Sequence, residues 1–392
     1  MDKQLRIAVL MGGTSFERDF SLASGRNIVR ALEAAGHTVL PLDTSPALVP
    51  ILREQRPDVV YSALHGSNGE DGTIQSLLEY LHIPYVGQRP SVCRLAWTKA
   101  VLPHVVLSHR RAAAGGALAG AAPGSAAPDG PASWPEYLAL NAASFKDMGA
   151  ATALDLVPQW FAAGYPLAVK PMRGGSAMGV ARVDDEGQLA AALLDALSFD
   201  DEVFIEEWIE GVEMAVAVVG SGETARALPP VEIVPREGFF STQARLDADL
   251  VEYFCPPRPL SFGVAPAAAD GTAAPATAPA SPAAPAPADG TPTLADAAAL
   301  VPASPETSLQ AVPDAAAALE QVTAAALEVH RAFGCRDLSR VDLIWDGERP
   351  RVLEINTSPG MTEYSLVPIA ASAAQLPLPE LLEELLLGAL ER

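Results

Sequence analysis

Three stretches of this chain concentrate side chains able to do chemistry together. The first runs from Arg340 to Leu366 and reads Arg-Val-Asp-Leu-Ile-Trp-Asp-Gly, then Val-Leu-Glu-Ile-Asn-Thr-Ser-Pro-Gly. Its two apolar segments alternate as half-buried strands, and Asp346-Gly347 between them reads as a hairpin turn. Asp342 lies on the first strand, Glu354 and Asn356 on the second. Residues two apart on a strand share a face, so the three can converge. Two carboxylates and an amide oxygen suit magnesium better than zinc, above all where nucleotide phosphates complete the shell. A surface hairpin with ordinary polar positions carries a similar pattern.

The second stretch, residues 166–180, reads Pro-Leu-Ala-Val-Lys170-Pro-Met-Arg-Gly-Gly175-Ser176-Ala-Met-Gly-Val. Glycines let backbone amides approach phosphate oxygens, and a lysine at a strand end neutralises them. It is not a Walker A loop, because no Gly-Lys-Ser/Thr closes it; a plain glycine hairpin is the other reading. Downstream, Glu206-Glu207-Trp-Ile209-Glu-Gly-Val-Glu213 forms an acidic bend between strands. Such a bend can read an adenine edge with its backbone and hold ribose hydroxyls with Glu213, or it can be a solvated bend. The third stretch is a pair of loops carrying Glu17 and His65, which could meet at one small-molecule site.

These groups need elements to position them. Residues 5–10 read as a buried strand ending at Gly12-Gly13, followed by helical periodicity from Ser21 to Ala35 with Gly36 as C-cap. Further strands are expected at 38–41 and 59–63. Strand–helix alternation implies an α/β unit with a parallel sheet, and ligands bind at the carboxyl ends of such strands, where both loops lie. The first loop lacks G-x-G-x-x-G, so no dinucleotide fingerprint is present. A helix is expected over 95–111, carrying Lys99, and others over 186–197 and 309–333. A strand is expected over 230–234, then a polar loop over 236–252. An amphipathic segment, 378–390, closes the chain. Residues 112–133 and 264–305 are almost wholly Ala, Gly, Pro, Ser and Thr, and read as flexible low-complexity insertions.

Composition narrows the class. A chain of 392 residues is long enough for two or three domains. With 26 basic and 48 acidic residues, its net charge of -22 argues against broad nucleic-acid or anionic-membrane binding. Cys93, Cys255 and Cys335 form no CxxC pair, which fits a reducing cytoplasm. The amino-terminal apolar run reads as a strand and not a signal peptide, and no run reaches membrane-spanning length.

In order, the motifs resemble those of D-alanine–D-alanine ligases of the ATP-grasp superfamily. The carriers are Gly12-Gly13-Thr14-Ser15-Phe16-Glu17-Arg18, His65-Gly66 with Glu70-Asp71-Gly72-Thr73-Ile74-Gln75, Lys170-Pro with its Gly-Ser loop, Glu-Gly-Val-Glu213, and Arg340-Val-Asp through Asn356-Thr-Ser-Pro-Gly-Met-Thr. The resemblance covers nearly everything outside the two insertions. It implies an ATP-grasp fold, α/β with an α+β central part and an amino-terminal parallel-sheet domain, divided at 1–97, 98–212 and 213–392. It implies that ATP phosphorylates the carboxylate of one D-alanine and that the amine of a second attacks the acyl phosphate, yielding a dipeptide for peptidoglycan. By position, Lys99, Lys170, Gly175, Ser176, Glu206, Glu207, Ile209 and Glu213 hold ATP. Asp342, Glu354 and Asn356 hold two magnesium (or manganese) ions. Glu17 binds the first ammonium with Ser176 beside it and His65 near the carboxylate. Arg340 and the Gly360 amide stabilise the oxyanion, and Ser365 and Leu366 grip the second carboxylate. A cytoplasmic homodimer is also implied.

The sequence also departs from the family's pattern. Arg245-Leu246 stands where the family carries Lys-Tyr, Ala177 replaces a serine, Gly174 a glutamate, and Thr98 an aspartate. Arg245 still suits a phosphate, as a fork instead of a point charge. Leu246 lacks the phenol that bears on acceptor choice, so D-lactate or D-serine is an alternative acceptor. A weakly active ATP-binding regulatory protein is the alternative from another class.

Overall fold

The structure is a computed structural model describing residues 4–113, 130–148, 150–258 and 315–392. The first unit is β1 (Arg6–Met11), α1 (Arg18–Ala34), β2 (Thr38–Asp43), α2 (Leu48–Gln55), β3 (Val59–Ser62), α3 (Thr73–Tyr80) and β4 (Tyr85–Val86). These strands form an all-parallel sheet in the order β2-β1-β3-β4. Ile7, Ala8, Val9 and Leu10 are wholly buried, the unbroken apolar run expected of a strand covered on both faces. Helix α1 turns Ser21, Ser24, Gly25, Ile28 and Leu32 inward, one face at helical spacing.

The region expected as one helix around Lys99 is broken. Helix α4 (Pro90–Trp97) stops, Lys99–Val101 makes a 3-10 turn, and α5 (Leu102–Ala113) resumes. The break lets the Lys99 ammonium donate to the Gly174 carbonyl at 2.7 Å, which a continuous helix would not fix. Most of the expected first insertion, and all of 264–305, lies outside the described residues. Its edges differ from expectation. Residues 112–113 belong to α5, Ala132 is buried, and Ser133 pairs with Arg351.

The central lobe follows: β5 (Tyr137–Asn141), α6 (Ala142–Met148), α7 (Ala150–Trp160), β6 (Leu167–Pro171), β7 (Ala181–Val183), α8 (Glu186–Ala196) and β8 (Glu202–Glu207). Its antiparallel sheet runs β5-β8-β6-β7, and Leu167, Val169, Leu189, Val203 and Ile205 centre a core of its own. The Lys170 loop is thus the β6–β7 connection.

The last sheet contains β9 (Val212–Val219), β10 (Arg226–Ala227), β11 (Val231–Pro235), β12 (Val251–Phe254), β13 (Leu338–Trp345) and β14 (Pro350–Asn356), in the order β12-β11-β9-β13-β14 with β10 beside β9. The expected polar loop after β11 contains α9 (Thr242–Leu246), capped by the Ser241 hydroxyl. Helix α10 (Ala315–Ala332) covers one face; residues 309–314 of its expected span lie outside the described residues. Helices α11 (Leu366–Ala373) and α12 (Leu378–Leu390) cover the other, where Leu381, Leu385 and Val367 join Ile7, Val9 and Ile28 in one core. The first and last sheets are therefore packed as a single body.

Candidate active site

The β13–β14 hairpin supplies the site's floor. Its register pairs Arg340 with Asn356 and Asp342 with Glu354, so all four side chains share a face; a bulge between Asp342 and Leu343 then shifts the ladder. Arg340 and Asp342, two apart, meet in a buried two-pronged ion pair, Nε–Oδ1 and Nη2–Oδ2 each 2.6 Å. Burial opposes the Arg340 charge, but Asp342 outweighs it and holds the guanidinium protonated more firmly than usual. Glu354 likewise is buried yet kept below its ordinary carboxyl range by Lys99, Arg245, Arg340 and Lys170.

The cleft above this floor divides into two adjoining pockets. One is lined by Lys99, Lys170, Gly175, Glu206, Glu207, Ile209, Glu213, Arg245, Asp342 and Glu354. Lys170 on β6 faces Glu206 on β8 in a short ion pair, and although burial works against its charge, Glu206 raises its proton affinity. Burial pushes Glu213 up to about 7, with Arg245 pulling the other way. The Glu207 carboxylate turns to Arg351 at 3.1 Å, linking central lobe to hairpin. Sequence reasoning missed Trp208 and Phe239, which meet edge to face at 5.8 Å on this pocket's wall, with Arg182 over the Trp208 ring. Aromatic residues in a polar loop were the available signal.

The second pocket is lined by Glu17, His65, Ser176, Arg245, Arg340, Glu354, Asn356, Gly360, Ser365 and Leu366. Because β1 and β3 are parallel neighbours, the loops after them leave the same edge of the sheet, and the Ser15 hydroxyl donates to the His65 carbonyl at 2.7 Å. Gly66 is held at φ 71°, and a Cβ there would come within 2.5 Å of Glu17 Oε2, so this turn demands glycine. The Ser176 hydroxyl donates to Glu17 Oε1, joining the glycine loop to the first sheet. Burial, then Glu70, pushes Glu17 up to about 7, against the pull of Ser176 and His65. Ser24, also overlooked, lies here with its hydroxyl between His65 and Met361. Arg245 spans both pockets over the Phe240 ring, its Nε buried without a hydrogen-bond partner among the described residues.

The donor set on the hairpin fits a hard divalent cation: all three donors are oxygens on one face of paired strands. Among the described residues no group of three His, Cys, Asp or Glu side chains has metal-holding geometry; the remaining positions of a shell built on these donors would fall to water or phosphate oxygens. Among those residues no helix is long and apolar enough to cross a membrane.

Comparison with known proteins gives a consistent picture. A family model described as the D-ala D-ala ligase C-terminus matches residues 134–259 and 306–387, and one described as the D-ala D-ala ligase N-terminus matches 48–88. The D-alanine–D-alanine ligase of Moorella thermoacetica is 32% identical over 99% of this chain and 100% of its own. That of Desulforudis audaxviator is 33% identical over 99% of each. Among solved structures, the Bacillus anthracis D-alanine–D-alanine ligase complexed with ATP superposes with a TM-score of 0.64 at 24% identity, covering 99% of this chain and 98% of that one. The Enterococcus faecalis VanG D-Ala:D-Ser ligase gives 0.64 at 22%, covering 99% and 100%. At these identities the two structures establish the fold.

Proposed function

The chain belongs to the D-alanine–D-alanine ligase family, and from that premise we propose how its own residues carry out the reaction. It is an ATP-dependent, ADP-forming ligase that joins two D-alanines for peptidoglycan synthesis. The observation that carries the residue-level reading is the hairpin register, which sets Arg340, Asp342, Glu354 and Asn356 on one face where the two pockets adjoin.

In this reading ATP enters the first pocket. Glu206, Glu207 and Ile209 hold the adenine, Glu213 the ribose, and Lys99, Lys170, Arg245 and the Gly175-Ser176 backbone the phosphates. Asp342, Glu354 and Asn356 would hold two magnesium (or manganese) ions, which would supply neutralisation of phosphate charge there. The first D-alanine lies in the second pocket with its ammonium on Glu17, braced by Ser176, and its carboxylate near His65. That carboxylate attacks the γ-phosphoryl group and becomes an acyl phosphate. Ser365 and the Leu366 amide hold the second D-alanine by its carboxylate. Its amine attacks the acyl carbon, and Arg340 and the Gly360 amide stabilise the oxyanion that develops. Domains of 1–97, 98–212 and 213–392 are part of the same proposal, supported by one sheet lying within each of the first two spans, as is a homodimeric assembly.

A mixed-acceptor assay tests the reading: ATP, D-alanine, D-lactate and D-serine together, with products resolved by mass. D-alanyl-D-alanine as the dominant product is expected. A depsipeptide or D-alanyl-D-serine in its place would reassign the acceptor, as Arg245-Leu246 allows, and no product at all would overturn the site assignment.

A further inference from the structure

Ser24 is buried at the junction of two chain segments far apart in sequence. It lies on the inner face of α1, and its Oγ accepts a hydrogen bond from the Met361 N–H at 3.1 Å, just after Gly360. The same oxygen lies 3.2 Å from His65 Nε2, and His65 Nδ1 lies 3.3 Å from Glu70 Oε1. The directions of these bonds follow from what each group can do. Met361 N–H can only donate, so the serine oxygen accepts there. The hydroxyl has one proton, and His65 Nε2 is its one acceptor among the described residues. The imidazole therefore carries its own proton on Nδ1, pointing at the Glu70 carboxylate. The result is one directed chain, Met361 N–H to Ser24 O–H to His65 N–H to Glu70.

The open end of that chain faces the second pocket, which Ser24, His65 and Glu70 all line. A Cβ built on Gly360 would lie 2.9 Å from Ser365 Oγ and 4.0 Å from Ser24 Oγ. The serine hydroxyl thus closes on Gly360, the residue assigned to the oxyanion, and bonds the N–H of the residue after it. We propose that Ser24, His65 and Glu70 form the path that removes the proton from the attacking amine. This rests on the ligase reading above.

The second amino acid arrives as an ammonium ion, and nitrogen cannot attack until one proton has left. That proton passes to Ser24 Oγ as the serine's own proton moves to His65 Nε2, leaving an imidazolium against the Glu70 carboxylate. The freed lone pair forms the C–N bond at the acyl carbon. The C–O bond to phosphate then breaks, its electron pair leaving with phosphate, which takes the surplus proton from the new amide nitrogen. The charged groups that share the pocket with His65 include Glu70, at its Nδ1, Glu17, Arg340 and Glu354.

Trapping with hydroxylamine tests the path in the full-length protein. Hydroxylamine is a free base at neutral pH, so it attacks an acyl phosphate without needing a proton removed. Ser24→Ala is expected to lower dipeptide formation about 100-fold or more, the span of a lost general base, while D-alanine hydroxamate still forms within about threefold of the parent rate. Glu70→Gln, which keeps a hydrogen-bonding side chain but removes the charge facing the imidazole, is expected to give the same split. A parallel loss of dipeptide and hydroxamate in both variants would mean that these residues only shape the pocket. Undiminished dipeptide formation would equally overturn the path. Absence of hydroxamate from the unmodified protein would remove the ligase reading itself.

Discussion

Glu17 reaches the substrate already burdened. Its carboxyl is buried beneath the glycine loop, accepts a hydrogen bond from Ser176, and is pushed up to about 7 by burial and by Glu70. An amino-acid ammonium needs the ionised form, so below pH 7 binding must first release a proton. The sign follows: affinity for the first D-alanine is expected to rise about tenfold per pH unit between roughly pH 5 and 7, then level off. Calorimetry in buffers of different ionisation enthalpy should find one proton released per D-alanine below pH 7, and none in Glu17→Gln. A pH-independent affinity would sink the assignment. For folding the sign is opposite in use. A raised carboxyl pKa stabilises the free protein most below the unfolded value near 4.5, and that contribution is lost as pH rises through 7.

At the scale of elements, the glycine loop between β6 and β7 is held from both sides. Phe199, after α8, packs so closely on Gly179 that a Cβ there would approach its ring to 2.6 Å. The same ring meets Phe16 of the Glu17 loop edge to face at 5.8 Å and 74°. Phe16 is 79% exposed, so within its own sheet it contributes little burial, and its ring contact lies across the cleft. Below, Arg173 donates two bonds to Asp200, 2.8 and 2.6 Å, fixing the loop's base. Phe16→Ala and Phe199→Ala are each expected to raise KM for ATP and for D-alanine about two- to tenfold, the worth of one aromatic pair. The double variant is expected to be no worse than either single one; additive losses in this cycle would show that the rings act independently.

What could be read from the sequence at this scale had short-range causes. The two-residue period puts Glu354 and Asn356 on one face of their strand, but the register that brings Asp342 to that face depends on the bulge between Asp342 and Leu343, which nothing local in the sequence marks. The parallel first sheet follows from alternating elements, and with it the meeting of the Glu17 and His65 loops. Ser24 was not legible, because its partner Met361 is 337 positions away and nothing local marks an inward serine on a helix as a bridge. The Phe16–Phe199 contact and the Trp208–Phe239 wall were hidden for the same reason. The break at Thr98 was overlooked because helical periodicity on either side masks a single extended residue.

The whole molecule divides unequally. The first and last sheets share a core and are locked by a buried polar joint, while the central lobe packs around its own apolar residues. At the joint Asp337 accepts from the Gly87 N–H at 2.8 Å and from Arg392 at 2.6 and 2.9 Å, and the Gln88 side chain donates to the Arg336 and Leu338 carbonyls. Asp337→Ala strands these donors. Arg392 is partly solvated, so a loss of about 3 kcal/mol, the low end for a broken buried pair, is expected as a lower urea midpoint. KM for ATP should be unchanged, since the joint lies behind the cleft; a change there would show that it shapes the nucleotide pocket.

The ion pairs lining the cleft carry a consequence for which anions the protein admits. Lys170 is matched to Glu206, Arg340 to Asp342, and Lys99 faces Glu354 at 3.7 Å. Lys170, Arg340 and Lys99 are thus each matched by a carboxylate at rest, while Arg245 also enters the cleft and acts on Glu213 and Glu354. A bare polyphosphate that draws a lysine away exposes a carboxylate that repels it, so its gain is largely cancelled. A nucleotide escorted by its own divalent counter-ion satisfies both members of each pair in one exchange. On the floor of the cleft this matching is set by two strands, which place an arginine two residues from an aspartate and a glutamate directly across from it.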